Sequence, residues 1–298
     1  MVISKLIFME VDYKIVSMRN IMIVTGASSG MGSCFAKFLC EEYMADKKNK
    51  SDSNSCEMWI FARRNDRLLE LKNEIESKTR PSIYGIPCPV IRIFCQDLSG
   101  TSGAMFVKSI LEEENSRDGI CISVLVNNAG FGTYGEFAST DTLREMQMID
   151  LNCTSLTGIT GYSLPYMKKG SRIINVASLA AYAPLGNFAV YAASKSYVLS
   201  FTVALASELK GRGIKVTALC PGSVSTEFAN VASKGARKEV LHGKSCEKTV
   251  RDALAKSRRG KMISMWALKW KMNSVLCGIF PKTFIAWATY RFGKRPSN

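Results

Sequence analysis

Tyr191 and Lys195 stand four residues apart in Tyr191-Ala-Ala-Ser-Lys195, a spacing that stacks two side chains on one helical face. A phenol held beside an ammonium is expected to have a lowered pKa, and so to give or take a proton near neutral pH. Ser178 follows the strand-like run 172–177. Its hydroxyl would polarise a carbonyl oxygen while the phenol moves the proton.

A second constellation lies upstream. Thr25-Gly-Ala-Ser-Ser-Gly-Met-Gly32 follows the apolar run 21–24. Gly26, Gly30 and Gly32 lack a Cβ there, so the backbone around Ser28, Ser29 and Met31 can turn tightly and bring its N–H groups to a pyrophosphate. The next strand-like run ends Ala62-Arg63-Arg64. An acidic residue at this point would repel a 2′-phosphate; Ala62 does not, and Arg63 and Arg64 offer it charged forks, so NADP(H) is the expected cofactor. The bland alternative is that the two arginines open a solvated helix. Gly26-Ala-Ser28-Ser-Gly30 also spells a hydrolase nucleophile elbow, but that needs a histidine base. The chain has one histidine, His242, flanked by Glu239 and Lys244 and read as a polar loop residue.

The elements that would position these groups alternate along the chain. Strand-length apolar runs at 20–24, 58–62, 90–95, 121–126, 172–177 and 215–219 are separated by helical patterns at 32–44, 66–77, 103–113, 143–167 and 190–209. A further helix pattern at 245–258 and a short strand at 261–264 follow. Nearly continuous apolar strands in β-then-α order predict an α/β domain, a parallel sheet covered by helices on both faces. The polar stretches 46–56 and 77–89 read as loop insertions. Residues 1–18 form an extension in which neither a signal peptide nor an anchor is recognisable, with Met18 an alternative start.

Composition narrows the function classes. Forty basic against 25 acidic residues give a formal charge of +15, but both signs are mixed along most of the chain and no recognition motif accompanies the basic clusters, so nucleic acid is not an expected partner. The ten cysteines contain no CxxC pair and read as free thiols of a reducing, cytoplasmic compartment. With a single histidine, no metal site is expected.

Taken in order, Thr25-Gly-x-x-x-Gly-x-Gly32, Asn127-Asn-Ala-Gly130, Asn152, Ser178, Tyr191-x-x-x-Lys195 and Pro221-Gly222 followed by Thr226 resemble the short-chain dehydrogenase/reductase family from residue 20 to 264. The surroundings look most like its ketoacyl-reductase and hydroxysteroid-dehydrogenase branch. The resemblance implies a single-domain, Rossmann-like, doubly wound sheet of about seven strands. It implies that Asn152, Ser178, Tyr191 and Lys195 are catalytic, with Lys195 also on the cofactor ribose and Asn152 placing a water that resupplies protons. It further implies that Asp97 and Leu98 approach the adenine and that Asn127 steadies the sheet. Asn128, Ala129, Gly130, Pro221, Gly222, Val224 and Thr226 would line the cofactor cleft, and the product would be a homodimer or homotetramer.

Substrate contacts are expected from Phe131, Tyr134, Ser178, Ala180, Leu185, Tyr191 and Phe228, with residues 223–245 as a lid. Their apolar character favours a lipophilic ketone or alcohol such as a hydroxysteroid or bile acid, with a fatty-acyl or other carbonyl substrate, or a non-catalytic cofactor-sensing role, as alternatives. Beyond residue 264 the chain is aromatic and basic: Trp266, Trp270, Phe280, Phe284, Trp287, Tyr290 and Phe292 alternate with lysine and arginine. Pro281 and Lys282 interrupt it too often for a membrane span. A cap on the substrate pocket or a subunit interface is the expected role, with contact with an anionic membrane surface or simple core packing as the alternatives.

Overall fold

A computed structural model describes residues 18–47, 56–79, 88–236 and 243–293. Most of the two polar insertions, His242, the centre of the lid and residues 1–17 lie outside the described residues. Seven strands form one parallel sheet: β1 (Arg19–Thr25), β2 (Cys56–Ala62), β3 (Val90–Cys95), β4 (Ile120–Asn127), β5 (Arg172–Val176), β6 (Lys215–Leu219) and β7 (Ile263–Ser264). Their order is β3-β2-β1-β4-β5-β6-β7. The chain moves outward from β1, then returns to lay β4 on its other side, and this reversal opens a crevice at the C-terminal strand ends.

The continuous apolar strands are explained by what covers them. In β1 the alternating pairs Met22/Val24 and Ile21/Ile23 face opposite layers. The first layer is α1 (Gly30–Lys47), α2 (Asn65–Thr79) and α8 (Cys246–Arg258), packed through Phe35, Leu39, Leu68 and Val250. The second is α3 (Gly100–Asp118), α5 (Leu156–Ser163) and α6 (Ala189–Glu208), packed through Val107, Leu111, Ile159 and Leu205. Length and apolarity alone would let α6 cross a bilayer, but its inward face is committed to this core and carries Tyr191 and Lys195.

One predicted element divides. The helix expected over 143–167 is α4 (Thr142–Ile149), a widened π turn over Asp150–Ser155, α5, and a tight 3₁₀ turn over Leu164–Tyr166. Pro165 lies in that last turn, and the π turn holds Asn152, a common place for a functional side chain. At the N-terminal end of the sheet, Arg19 bonds Glu57 at 2.8 Å and Glu114 at 2.7 Å, and Arg92 bonds Glu114 at 2.9 Å. These pairs hold Glu114 down at about 2, chiefly through Arg92, against the opposing effect of burial.

The last elements are α7 (Phe228–Ala232), α9 (Leu268–Ile279) and α10 (Lys282–Phe292), the last two forming a hairpin bent at Pro281.

Candidate active site

β1 leaves the sheet at Thr25 and enters α1 through Gly26, at φ +67°, and Gly30, at φ +53°. Both values lie in the left-handed region that suits glycine. A Cβ at Gly26 would stand 2.8 Å from Ala129 Cα, and one at Gly30 3.1 Å from the Thr226 methyl. Asn128 donates its side-chain amide to the carbonyls of Thr25 and Gly26 at 3.0 and 3.1 Å, while Thr25 Oγ1 accepts the backbone N–H of Asn128 and Ala129, each at 3.0 Å. The turn and the loop after β4 are therefore one unit. Gly32 departs from its expected place: a Cβ there would lie 2.0 Å from the Gly26 carbonyl oxygen, so it packs beneath the turn and does not line the cleft.

Behind this unit runs a buried polar chain. Asn127 donates to Thr160 and to Asn175, both at 2.9 Å, and Asn175 donates to Thr202 at 3.0 Å. It joins β4 and β5 to α5 and α6, the elements that carry the reactive groups.

Ser178 lies just beyond β5, where its Oγ accepts the Ala180 N–H at 3.1 Å and makes only a long, 3.4 Å bond to the Pro221 carbonyl. Tyr191 and Lys195 enter from the first turns of α6. The Tyr191 ring stacks on Phe188 with centroids 4.1 Å apart and leans on Phe228 at 5.3 Å, and its hydroxyl feels the Ser178 hydroxyl. Lys195 Nζ donates to the Val176 carbonyl at 2.8 Å and lies 5.7 Å from the Tyr191 ring centre.

Asn152 is buried and stands behind the cleft wall, not on it. Its Oδ1 accepts the Phe131 N–H at 3.1 Å; its Nδ2 donates to the Phe131 carbonyl at 3.0 Å and to Ser194 Oγ at 3.1 Å. The side-chain amide is thus spent mainly on bracing the Ala129–Phe131 loop. A Cβ at Gly130 would meet Asn152 Oδ1 at 2.7 Å and Lys195 Nζ at 3.4 Å, so Gly130 is the space these two side chains share.

The expected lowering of the Tyr191 pKa is reversed. Burial pushes the phenol well above its ordinary value, with the Ser178 hydroxyl opposing and Tyr134 adding to the rise. Burial also pulls the Lys195 amine down to about 8. Helical spacing brings the two groups onto one face, but desolvation outweighs the attraction that spacing suggested.

At the other end of the crevice, Arg63 and Arg64 extend from the end of β2. Arg63 reaches Asp97 only at 3.8 Å with its side chain 72 % exposed, whereas Arg64 bonds Glu227 at 3.0 Å and Ser28 at 3.3 Å. Leu98, Ser29, Met31, Ala129, Pro221, Gly222 and Val224 line the same crevice. The two ends of the lid are tied together, Val224 bridging Lys244 and Ser225 N donating to the Lys244 carbonyl at 3.1 Å.

Past Tyr191 the walls become apolar: Phe131, Tyr134, Ala180, Leu185, Phe188 and Phe228 gather there. The hairpin α9–α10 closes the far side with Leu276, Phe280, Phe284 and Ile285, and the whole cavity measures about 800 Å³. Phe188, Leu276 and Ile285 were not expected among the substrate contacts, whereas Phe280 and Phe284 belong to the aromatic tail expected to cap the pocket. Phe188 carried a signal, since it lies three residues before Tyr191 at helical spacing; the tail carried only its aromatic content.

The family model for short chain dehydrogenases matches residues 20–237. The chain belongs to the short-chain dehydrogenase family. This dehydrogenase is 31% identical over 233 residues to an NADP-dependent 3-hydroxy acid dehydrogenase of Salmonella typhi, covering 77% of this chain and 82% of that one. It is 30% identical over 222 residues to a sulfoacetaldehyde reductase of Chromohalobacter salexigens, covering 73% and 78%. Among solved structures it superposes on a short-chain dehydrogenase from Sphingobium yanoikuyae in complex with NADPH, with a TM-score of 0.68 at 23% identity over 88% of this chain and 95% of that one. At that identity the likeness is one of fold. None of the dehydrogenase's cysteines is in a disulfide, and Cys34 approaches Cys246 to 3.1 Å between α1 and α8.

Proposed function

We propose that this dehydrogenase interconverts a lipophilic ketone and its secondary alcohol with NADP(H), the ketone being of hydroxysteroid or bile-acid kind. The observation that carries the reading is the joining of Ser178, Tyr191 and Lys195 to an apolar, aromatic chamber within one crevice. The crevice fits the cofactor: Gly26 and Gly30 leave a bare backbone turn at the start of α1, suited to a pyrophosphate, and Arg63 is weakly held and free to turn to a 2′-phosphate. When bound, NADP(H) supplies or takes the hydride.

The chain's own groups handle the oxygen. Ser178 exchanges its long bond to Pro221 for one to the substrate oxygen, and Tyr191 Oη gives that oxygen its proton. The raised pKa keeps the phenol protonated, as a donor must be. Lys195, when protonated, counters the charge left on Tyr191 Oη and donates to the ribose. The aromatic walls around Tyr191 exclude water from the transfer.

The relatives named for small acids suggest a second reading, a small anionic carbonyl compound. Among the described lining residues the only cations are Arg63, Arg64 and Lys195, none of them in the aromatic chamber. Arg144 sits over the Phe131 ring at 5.1 Å but does not line the chamber, so a carboxylate or sulfonate finds no cation on the chamber wall itself. The deciding measurement is NADPH consumption with steroid, bile-acid and fatty-acyl ketones beside sulfoacetaldehyde and short 3-oxo acids. Turnover of the lipophilic set, reduced by about 10²–10⁴ in Tyr191→Phe, is expected. Turnover confined to the small anions would remove the lipophilic reading, and tight NADPH binding with no turnover at all would favour sensing. Pairing of subunits through α4–α5 and α6 belongs to the same proposal; a second cavity between Thr101, Cys153, Tyr162 and Tyr197 on that face supports it.

A further inference from the structure

We infer that α9–α10 is a docking hairpin for an anionic lipid surface, and that it presents the mouth of the crevice to the bilayer. Leu268, Met272, Val275 and Ile279 follow an i, i+4, i+7, i+11 rhythm, which places them on a single stripe of α9. All four are between 58% and 72% exposed, an unusual state for aliphatic residues in register. The stripe continues around Pro281 as an exposed aromatic row. Phe280 meets Phe284 at 5.6 Å, Phe284 meets Trp287 at 5.9 Å, and Trp287 meets Phe292 at 5.8 Å.

The charge around this face has one sign. Lys269 and Lys271 flank the α9 stripe, Lys282 stands at the bend and Arg291 near the end of α10, all of them exposed. Residues 253–298 contain no aspartate or glutamate. Among the described residues, the carboxylate that bonds the hairpin from another element is Glu136, on the Tyr290 hydroxyl at 3.1 Å. Aromatic and aliphatic groups rimmed by lysine and arginine are the composition that lies in a headgroup layer and is drawn to negative lipid. A second copy of the chain fits less well, because a two-fold interface through this patch would set cations against cations.

The hairpin is held as a platform from below. Trp270 is buried, Gly186 N donates to Thr289 Oγ1 at 3.1 Å, and Asn187 Nδ2 donates to the Tyr290 carbonyl. Leu276, Phe280 and Phe284 belong to both surfaces, half exposed on the platform and lining the crevice. A lipophilic substrate therefore passes from bilayer to chamber along side chains without crossing water; this last step rests on the substrate reading above, whereas the docking does not.

The test uses the full chain without nucleotide, sedimented with phosphatidylcholine vesicles containing about one third phosphatidylglycerol, and with phosphatidylcholine alone. Binding is expected to the mixed vesicles, at least about tenfold weaker to the neutral ones, and lost near 1 M salt, where charge is screened within about 3 Å. Val275→Glu with Ile279→Glu, and separately Lys269→Glu with Lys271→Glu, should each weaken it at least tenfold while turnover of a water-soluble ketone is unchanged, since none of the four lines the crevice. Absence of binding to mixed vesicles, or binding unaltered in both variants, overturns the inference. A scattering mass of two chains that falls to one in the Val275/Ile279 variant, with no vesicle binding, assigns the face to self-association instead. Vesicle binding without turnover would sink the catalytic reading and leave this one standing.

Discussion

Trp270 occupies the space in front of Gly222: a Cβ on that glycine would stand 2.3 Å from the indole Nε1. A residue of the tail thus buttresses the turn whose Pro221 carbonyl accepts the Leu179 N–H at 2.7 Å, next to Ser178. Trp270→Ala removes a buried aromatic and should cost about 3–5 kcal/mol in urea unfolding. Weaker binding of both NADPH and ketone should accompany it. Unchanged affinity for both would mean that the turn stands without its prop.

Arg63 and Arg64 are expected to differ. Arg63 is nearly free, so Arg63→Ala should reduce the preference for NADPH over NADH by about 10–100-fold, the worth of one charge-assisted bond. Arg64 is already shared between Ser28 and Glu227, and its loss should also loosen the lid. Comparing kcat/KM for the two nucleotides checks both; an unaltered ratio in Arg63→Ala excludes it as the phosphate ligand.

The Lys195 amine, lowered to about 8 by burial, sets a pH dependence. Below that pH it is protonated and can donate to a ribose; above, it loses its charge. In the free enzyme, kcat/KM for NADPH should therefore fall as pH rises through about 8, and the inflection should vanish in Lys195→Met. A flat wild-type profile from pH 7 to 9.5 would contradict the assignment.

Gly130→Ala places a methyl 2.7 Å from Asn152 Oδ1. Overpacking of this kind costs about 1–3 kcal/mol, and the displacement reaches Lys195 directly. The expected result is a lower Tm together with a kcat loss of at least about tenfold. Crystals of the variant showing Asn152 and Lys195 unmoved would refute the shared-space account.

Glu114 gives a stability test away from the site. Its folded pKa, near 2, lies below the ordinary carboxylate value of 4.5, so it adds stability above pH 4.5 that is lost as pH falls toward 2. The difference corresponds to about 3 kcal/mol. Glu114→Gln should flatten the rise in unfolding free energy between pH 2.5 and 5, measured in urea. Parallel curves for the two proteins would rule the contribution out.

The sheet was legible because its strands are buried on both faces and read as unbroken apolar runs. Tyr191, Lys195, Ser178 and the glycine turn were legible as types at fixed spacing. Spacing along a helix does not report burial, however, and so gave the wrong sign for Tyr191. Nor does an apolar pattern distinguish an α from a π turn, which hid the break around Asn152. Phe280 and Phe284 were legible as part of an aromatic tail expected to cap the pocket, but Leu276 was out of reach for another reason. It joins the chamber by long-range packing, from a hairpin whose aromatic content pointed first to a cap but named none of its aliphatic residues.

Every group assigned to chemistry here hangs from the C-terminal edge of the sheet. At the opposite edge α1 ends at Lys47 and α2 at Thr79, and β2 and β3 begin at Cys56 and Val90. That edge is decoupled from turnover. A change confined to it, such as Lys78→Ala at the exposed end of α2, should leave kcat intact, so a lineage can alter it without its active site registering the change.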